Sequence, residues 1–265
     1  MHFTKMHGLG NDYLYVYGEV PENIVDLSVK YSDRHFGVGS DGMIFICHSD
    51  VADFKMRIFN ADGSEAKMCG NGIRCVGKYV YDKGYTNKTS LLVDTLSGIK
   101  TLDLKVEDGK VKEVTVGMGE VKVEDDLTLD IDGTKITMVP VSVGNPHAVI
   151  FVENAEEEKI TEIGPKIEHH EAFPEGVNVE FVSPIDDNKV RMRVWERGSG
   201  VTMACGTGAC ATAAASVARK RCTKDNEVKV VLDGGTLSIK VNDDNTVTMT
   251  GPAAIVCEGE IDENI

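Results

Sequence analysis

Met68-Cys69-Gly70-Asn71-Gly72-Ile73-Arg74-Cys75 decides how this chain is read, and it has a partner at Ala204-Cys205-Gly206-Thr207-Gly208-Ala209-Cys210. Each contains Cys-Gly-x-Gly, and each runs into a segment patterned as a helix. The first cysteine then stands at a helix N-terminus, facing unpaired backbone N–H groups. A thiolate is stabilised there, so a lowered thiol pKa is expected. The glycines that follow let backbone amides approach a bound anion. One such element is a reactive-cysteine candidate; two suggest a pair acting on one substrate. The competing reading is two glycine-rich turns whose cysteines are buried as small, inert hydrophobes.

The surroundings favour the pair. Asn60 stands nine residues before Cys69, and Glu196 nine before Cys205. Further upstream, Gly10-Asn11-Asp12 puts Asn11 58 residues ahead of Cys69, and Gly144-Asn145-Pro146-His147 puts Asn145 60 ahead of Cys205. The same order in both halves reads as a degenerate internal duplication. Two similar domains are expected, with the paired cysteines facing one another across a cleft.

Composition narrows the class. The 265 residues suit one large domain or two smaller ones, and a hydrophobic share of 42% is enough for sizeable cores. The net charge of -15, from 43 acidic against 28 basic residues, argues against nucleic acid as a partner. No apolar run opens the chain as a signal peptide or is long enough to span a membrane. Seven cysteines without a secretory signal point to reduced thiols in the cytoplasm. They form no CxxC pair, so no metal site is expected.

Periodicity places the elements. Residues 2–6 and 12–17 read as strands, and Pro21-Glu22 opens a helix ending near His35 or Gly37. Met43–Cys47 and Phe54–Phe59 read as strands. Gly37-Val38-Gly39-Ser40-Asp41-Gly42 fits G-x-G-x-x-G, but no strand precedes it and a strand follows, so it reads as a tight loop and not a dinucleotide site. A helix follows Cys69 and ends at Lys83-Gly84. Hairpins follow, turning at Glu107-Asp108-Gly109. Gly117-Met118-Gly119-Glu120 is the best boundary between halves. In the second half, strands flank a Gly144–His147 turn, and residues 155–170 read as a charged helix with Ile160, Ile163 and Ile167 inward. Strands at 177–182 and 189–194 precede a small-sided central helix after Cys205. Two more hairpins turn near Asp233-Gly234 and Asp243-Asp244.

Gly10-Asn11-Asp12, Phe59-Asn60-Ala61-Asp62-Gly63-Ser64, Cys69-Gly70-Asn71-Gly72-x-Arg74, Gly144–His147, Glu196-Arg197-Gly198 and Ala204–Ala209 together resemble the diaminopimelate epimerase family, from Lys5 to the Thr250-Gly251-Pro252-Ala253 tail. The resemblance implies an α/β fold of two similar domains, each a mainly antiparallel curved sheet or barrel around a central helix. The expected halves are 1–118, with Cys69, and 119–250, with Cys205; a last segment, 251–265, returns to the first. The implied activity is interconversion of LL- and meso-2,6-diaminopimelate, in lysine and peptidoglycan precursor synthesis, with no cofactor. The expected partners are a small amino-acid substrate and a second copy of the chain. By resemblance Asn11, Asn60, Asn145, Asn178 and Arg197 bind the distal groups of the substrate. Gly70, Asn71, Gly206 and Thr207 hold the reacting end. His147 and Glu196 tune the thiols, and Glu196 is also a candidate for the distal ammonium.

The chemistry agrees with that reading. An α-proton is very weakly acidic, and inversion without a cofactor needs one base on each face of the α-carbon. One thiolate removes the proton while a thiol donates another from the opposite side. Helix N-terminal amides stabilise the enolate-like carboxylate that forms. Val201, where the family usually has glutamate, and Gly42, where many members carry glutamine, are departures. The first leaves open a related cofactor-independent racemase or epimerase acting on another amino acid. A small-molecule binding protein would need Arg197 and the asparagines but not two thiols. A cysteine hydrolase using His147 would leave the second cysteine unexplained.

Overall fold

A computed structural model describes residues 1–263; residues 264 and 265, the end of the expected returning segment, lie outside the described residues. The chain divides into two compact units, residues 1–116 with the segment from Gly251 onward, and Gly117–Thr250.

The first unit begins with β1 (His2–Gly8) and β2 (Asn11–Tyr17), then α1 (Ile24–Ser32), β3 (Gly42–Cys47), β4 (Phe54–Asn60) and the two-residue β5 (Glu65–Ala66). After α2 (Gly70–Asp82) come β6 (Ser90–Asp94), β7 (Lys100–Glu107) and β8 (Lys110–Glu120), within which the division between units falls. The second unit adds β9 (Lys122–Val123), β10 (Leu127–Ile131), β11 (Thr134–Ser142), β12 (Pro146–Phe151), α3 (Ile160–Glu168), β13 (Asn178–Asp186), β14 (Lys189–Glu196) and β15 (Gly200–Val201). It closes with α4 (Gly206–Ala218), β16 (Val228–Leu232), β17 (Gly235–Val241) and β18 (Thr246–Pro252); β19 (Ala254–Glu260) then pairs antiparallel with β1.

The strand pairings repeat. In the first unit β1 and β2 pair antiparallel, β2 and β3 parallel across α1, and β3 and β4 antiparallel. β4 then pairs antiparallel with β5 and parallel with β6 across α2, and β6–β7–β8 is an antiparallel meander. In the second unit β11–β12, β12–β13 across α3, β13–β14, β14–β15, β14–β16 across α4 and β16–β17–β18 follow the same sequence of senses. Both sheets are therefore mixed: antiparallel pairs predominate, and each parallel pair needs a helical crossover. The duplicated motifs sit on duplicated architecture.

Side-chain size explains the helices. α2 buries Ile73, Cys75, Val76, Tyr79 and Val80, and α4 buries Ala209, Cys210, Ala211, Ala213, Ala214 and Ala215. α4 is apolar nearly all round, as a core helix is, and its alanines let strands approach it closely. The outer helices cover separate clusters. α1 packs Ile24 and Leu27 on Leu14, Phe45 and Phe59, and α3 packs Ile160 and Ile167 on Met138, Ile150 and Phe181.

Some boundaries differ from the sequence reading. α1 stops at Ser32 because Asp33 Oδ1 accepts the amides of His35 at 2.7 Å and Phe36 at 2.6 Å, turning the chain. The charged helix shortens to α3 and carries Pro165 inside it, and Ile163 is only half-buried. Pro146 and His147 belong to β12, not to a turn, because the hairpin register pairs Ser142 with Pro146. β6, too short for a clear pattern, was not expected as a strand. Among the described residues no helix is long and apolar enough to cross a membrane.

Candidate active site

In the first unit Cys69 caps α2. Its extended backbone (φ -136°, ψ 113°) turns the side chain back over the first turn, and Sγ accepts the Gly72 amide at 3.3 Å. The thiol donates to Asn11 Oδ1 at 3.2 Å. Asn11 in turn donates to Asp41 Oδ2 at 2.7 Å, and Arg34 bridges Asp41 and Asp12 at 2.9 and 2.8 Å. Burial works against the Asp12 carboxylate, but the bonds and charges of Arg34 and Lys5 outweigh it and hold the pKa below the usual range. A charged cluster thus fixes the amide that meets the thiol. Asn60 donates to Ser64 Oγ at 3.0 Å. Asn71 is buried in the first turn of α2, and Gly70 offers its carbonyl to the fully buried Arg74, whose Nη1 donates at 3.2 Å while Nε donates to Pro252 O at 3.2 Å. The buried Tyr13 phenol is pushed above its ordinary pKa, first by burial and then by the nearby Cys69 sulfur.

In the second unit Cys205 caps α4 in the same way (φ -110°, ψ 111°), and Sγ accepts the Gly208 amide at 3.3 Å. Thr207 Oγ1 lies 3.6 Å from the sulfur and accepts from Asn145 Nδ2 at 3.3 Å. Asn145 Oδ1 meets His147 Nε2 at 3.1 Å, and His147 Nδ1 meets Glu180 Oε1 at 2.6 Å. The expectation of a lowered thiol pKa fails for Cys205. Burial, with Glu196 and Glu180 close by, pushes the thiol well above its ordinary value, and the hydrogen bonds from Thr207 and Gly208 only partly offset this. Burial also raises Glu196, opposed by its bond from the Thr202 hydroxyl.

Asn178 and Arg197 are arranged differently from the other candidates. Asn178 is buried and uses both ends internally: Nδ2 donates to Pro146 O at 2.9 Å, and Oδ1 accepts the Arg197 amide at 3.0 Å. It shapes the Arg197 backbone. The Arg197 side chain is exposed and donates to Glu175 O at 2.9 Å; among the described residues no carboxylate forms an ion pair with it. Gly206 opens α4 beside Thr207. Within the first unit Cys69, Asn11, Gly70 and Asn71 gather at the start of α2; within the second, Cys205, Asn145, His147, Glu196, Gly206 and Thr207 gather at the start of α4.

Sequence reasoning missed Glu180, Asp41 and Tyr13. A signal existed for Glu180: it is the one charge in Val177-Asn178-Val179-Glu180-Phe181-Val182, a run buried throughout, and a buried carboxylate in a strand needs a partner. Of the other cysteines, Cys47, Cys75, Cys210 and Cys222 are buried and Cys257 is exposed, none of them in a disulfide.

Solved structures share the fold at low identity. A phenazine biosynthesis protein of the PhzF family from Bacillus anthracis superposes with a TM-score of 0.76 at 17% identity, covering 98% of each chain. A hydroxyproline epimerase from Agrobacterium vitis gives 0.73 at 18% identity, covering 98% of this chain and 91% of that one. Curated relatives are far closer in sequence. Diaminopimelate epimerase from Acetivibrio thermocellus is 53% identical over all of this chain and 99% of its own length, and that from Methanococcus maripaludis is 53% identical over 99% of this chain and all of its own. The family model described as diaminopimelate epimerase matches residues 3–124 and 139–256, so the chain belongs to the diaminopimelate epimerase family.

Proposed function

We infer that this protein interconverts LL- and meso-2,6-diaminopimelate, a reaction that serves lysine and peptidoglycan precursor synthesis. Family membership over the full chain supports the substrate class. The observation that carries the mechanism is the repeated cap: a cysteine at the N-terminus of each central helix, its sulfur accepting the amide three residues on. One thiolate takes the α-proton and becomes a thiol. The electron pair left on the α-carbon delocalises into the carboxylate, stabilised by the amides at the helix starts. The other thiol gives its proton to the opposite face and becomes a thiolate. No net oxidation occurs, and the two thiols have exchanged roles.

Asn11, Asn60, Asn145, Asn178, Glu196 and Arg197 are proposed to bind substrate or shape its pocket, with Gly70, Asn71, Gly206 and Thr207 at the reacting end. Arg197, exposed and without an acidic partner among the described residues, is the fork for the distal carboxylate. His147 is proposed to act through Asn145 and Thr207 on Cys205. The same reading takes each sheet as curved around its helix, the chain as a homodimer and its setting as the cytoplasm; light scattering tests the dimer. The activity is tested in heavy water without added pyridoxal phosphate or metal. Each isomer should invert with solvent deuterium at the inverted centre. Binding without exchange would leave only a binding protein.

A further inference from the structure

The repeat permits a position-by-position comparison of the two thiols. The fourth residue after Asn11 is Tyr15, which pairs with Ile44 on the parallel neighbour strand; the fourth after Asn145 is Val149, which pairs with Glu180. The helix starts agree with this match. A Cβ added at Gly72 would lie 2.7 Å from Ile44 Cδ1, and one added at Gly208 would lie 2.8 Å from Glu180 Oε1 and 3.1 Å from Cys205 Sγ. The second residue after each asparagine is Tyr13 in one half and His147 in the other. The first unit therefore backs its cysteine with a phenol and an aliphatic chain, and the second with an imidazole and a carboxylate.

Glu180 is fully buried, on β13, and its Oε2 has no hydrogen-bond partner. Leaving half a carboxylate unsatisfied is costly, so the residue is not explained by stability. Its other oxygen lies 2.6 Å from His147 Nδ1. A carboxylate can only accept, so Nδ1 donates to Glu180, and Nε2 lies against Asn145 Oδ1. From there the chain of polar contacts passes through Thr207 to Cys205. The charged groups acting on the sulfur include Glu196 from β14 and Glu180 from β13, with His147 on β12 held against Glu180; from α4 the Gly208 amide and the Thr207 hydroxyl meet it.

We propose that Glu180 is a positioning residue for Cys205: it anchors the His147 ring and sets a like charge beside the sulfur, so that Cys205 keeps its proton in the resting enzyme. This rests on the proposed two-thiol function but is tested without substrate. Iodoacetamide labelling of the full chain is followed across pH, and each cysteine is read separately by peptide mass. In E180Q the pH at which Cys205 is half-reactive falls by about one unit, the order expected on removing one like charge from a buried neighbour. Cys69 in the same molecules keeps its wild-type profile. E180D, which keeps the charge, holds Cys205 near the wild-type profile. The double variant H147Y/E180I rebuilds the pair of the first unit and also moves Cys205 downward, so the test does not hang on one variant folding. An unmoved Cys205 in E180Q, or an equal shift of both cysteines, overturns the proposal. Absence of deuterium exchange by the wild type would instead overturn the function while leaving this labelling result standing.

Discussion

At the scale of single residues the two halves are chemically unequal. The Cys69 thiol donates a hydrogen bond to an amide oxygen that a charged cluster fixes, whereas Cys205 is buried with Glu180 and Glu196. Proton transfer by a positioned group contributes about 10²–10⁴-fold, so C69A and C205A should each lower inversion at least about a thousandfold. Substrate should still bind, as calorimetry would read; near wild-type rates in both variants would remove the two-thiol account. Arg197 gives a second prediction. R197K keeps the charge but loses the planar fork, which costs about 1.5–3 kcal/mol for a charged hydrogen bond. KM for diaminopimelate should rise about ten- to a hundredfold; unchanged kinetics would mean that the distal carboxylate is read elsewhere.

At the scale of elements, the helix starts decide what glycine is for. A methyl at Gly208 meets a carboxylate oxygen that His147 holds and the cysteine sulfur itself, whereas one at Gly72 meets the flexible end of Ile44. Overpacking of a fixed site costs about 1–3 kcal/mol. G208A should therefore lower the melting temperature and inversion more than G72A; the reverse order, by calorimetry and polarimetry, would remove Glu180 from its place against α4. Both helix starts were legible, because Cys-Gly-x-Gly followed by helical spacing states a cap chemically. Alternating strands such as β4 and β7 were legible for the same reason of local pattern. The end of α1 was not, since it depends on which amides Asp33 captures. Nor was the work of Asn178: a sequence shows an asparagine, not that both its ends are occupied by Pro146 and Arg197.

At the scale of the whole molecule, the repeat was legible from three ordered motifs in each half, and the pairing sequence of the strands carries it through each unit. The role of Glu180 was not, because its lone charge in an apolar strand asks for a partner but the partner is set by a register between β12 and β13 that no local pattern records. The interior also makes a prediction about pH. Burial pushes the Cys75 thiol up to about 11 and raises the phenols of Tyr13, Tyr15 and Tyr79, all in the first unit. These groups are neutral when folded and ionise more readily when unfolded. Each raised pKa therefore contributes stability that is complete below the unfolded value, about 8.5 for a thiol, and lost as pH rises through the folded value. Unfolding by urea, followed by circular dichroism, should show the midpoint steady from pH 7 to about 8.5 and falling steeply toward 11. C75A has one fewer such proton. Between pH 9 and 11 its free energy of unfolding should fall less steeply than that of the wild type, by about 1.4 kcal/mol per pH unit. Its cavity lowers stability at every pH alike, so the slope and not the height is the measurement. Parallel slopes would show that the Cys75 thiol ionises in the folded chain as easily as in the unfolded one.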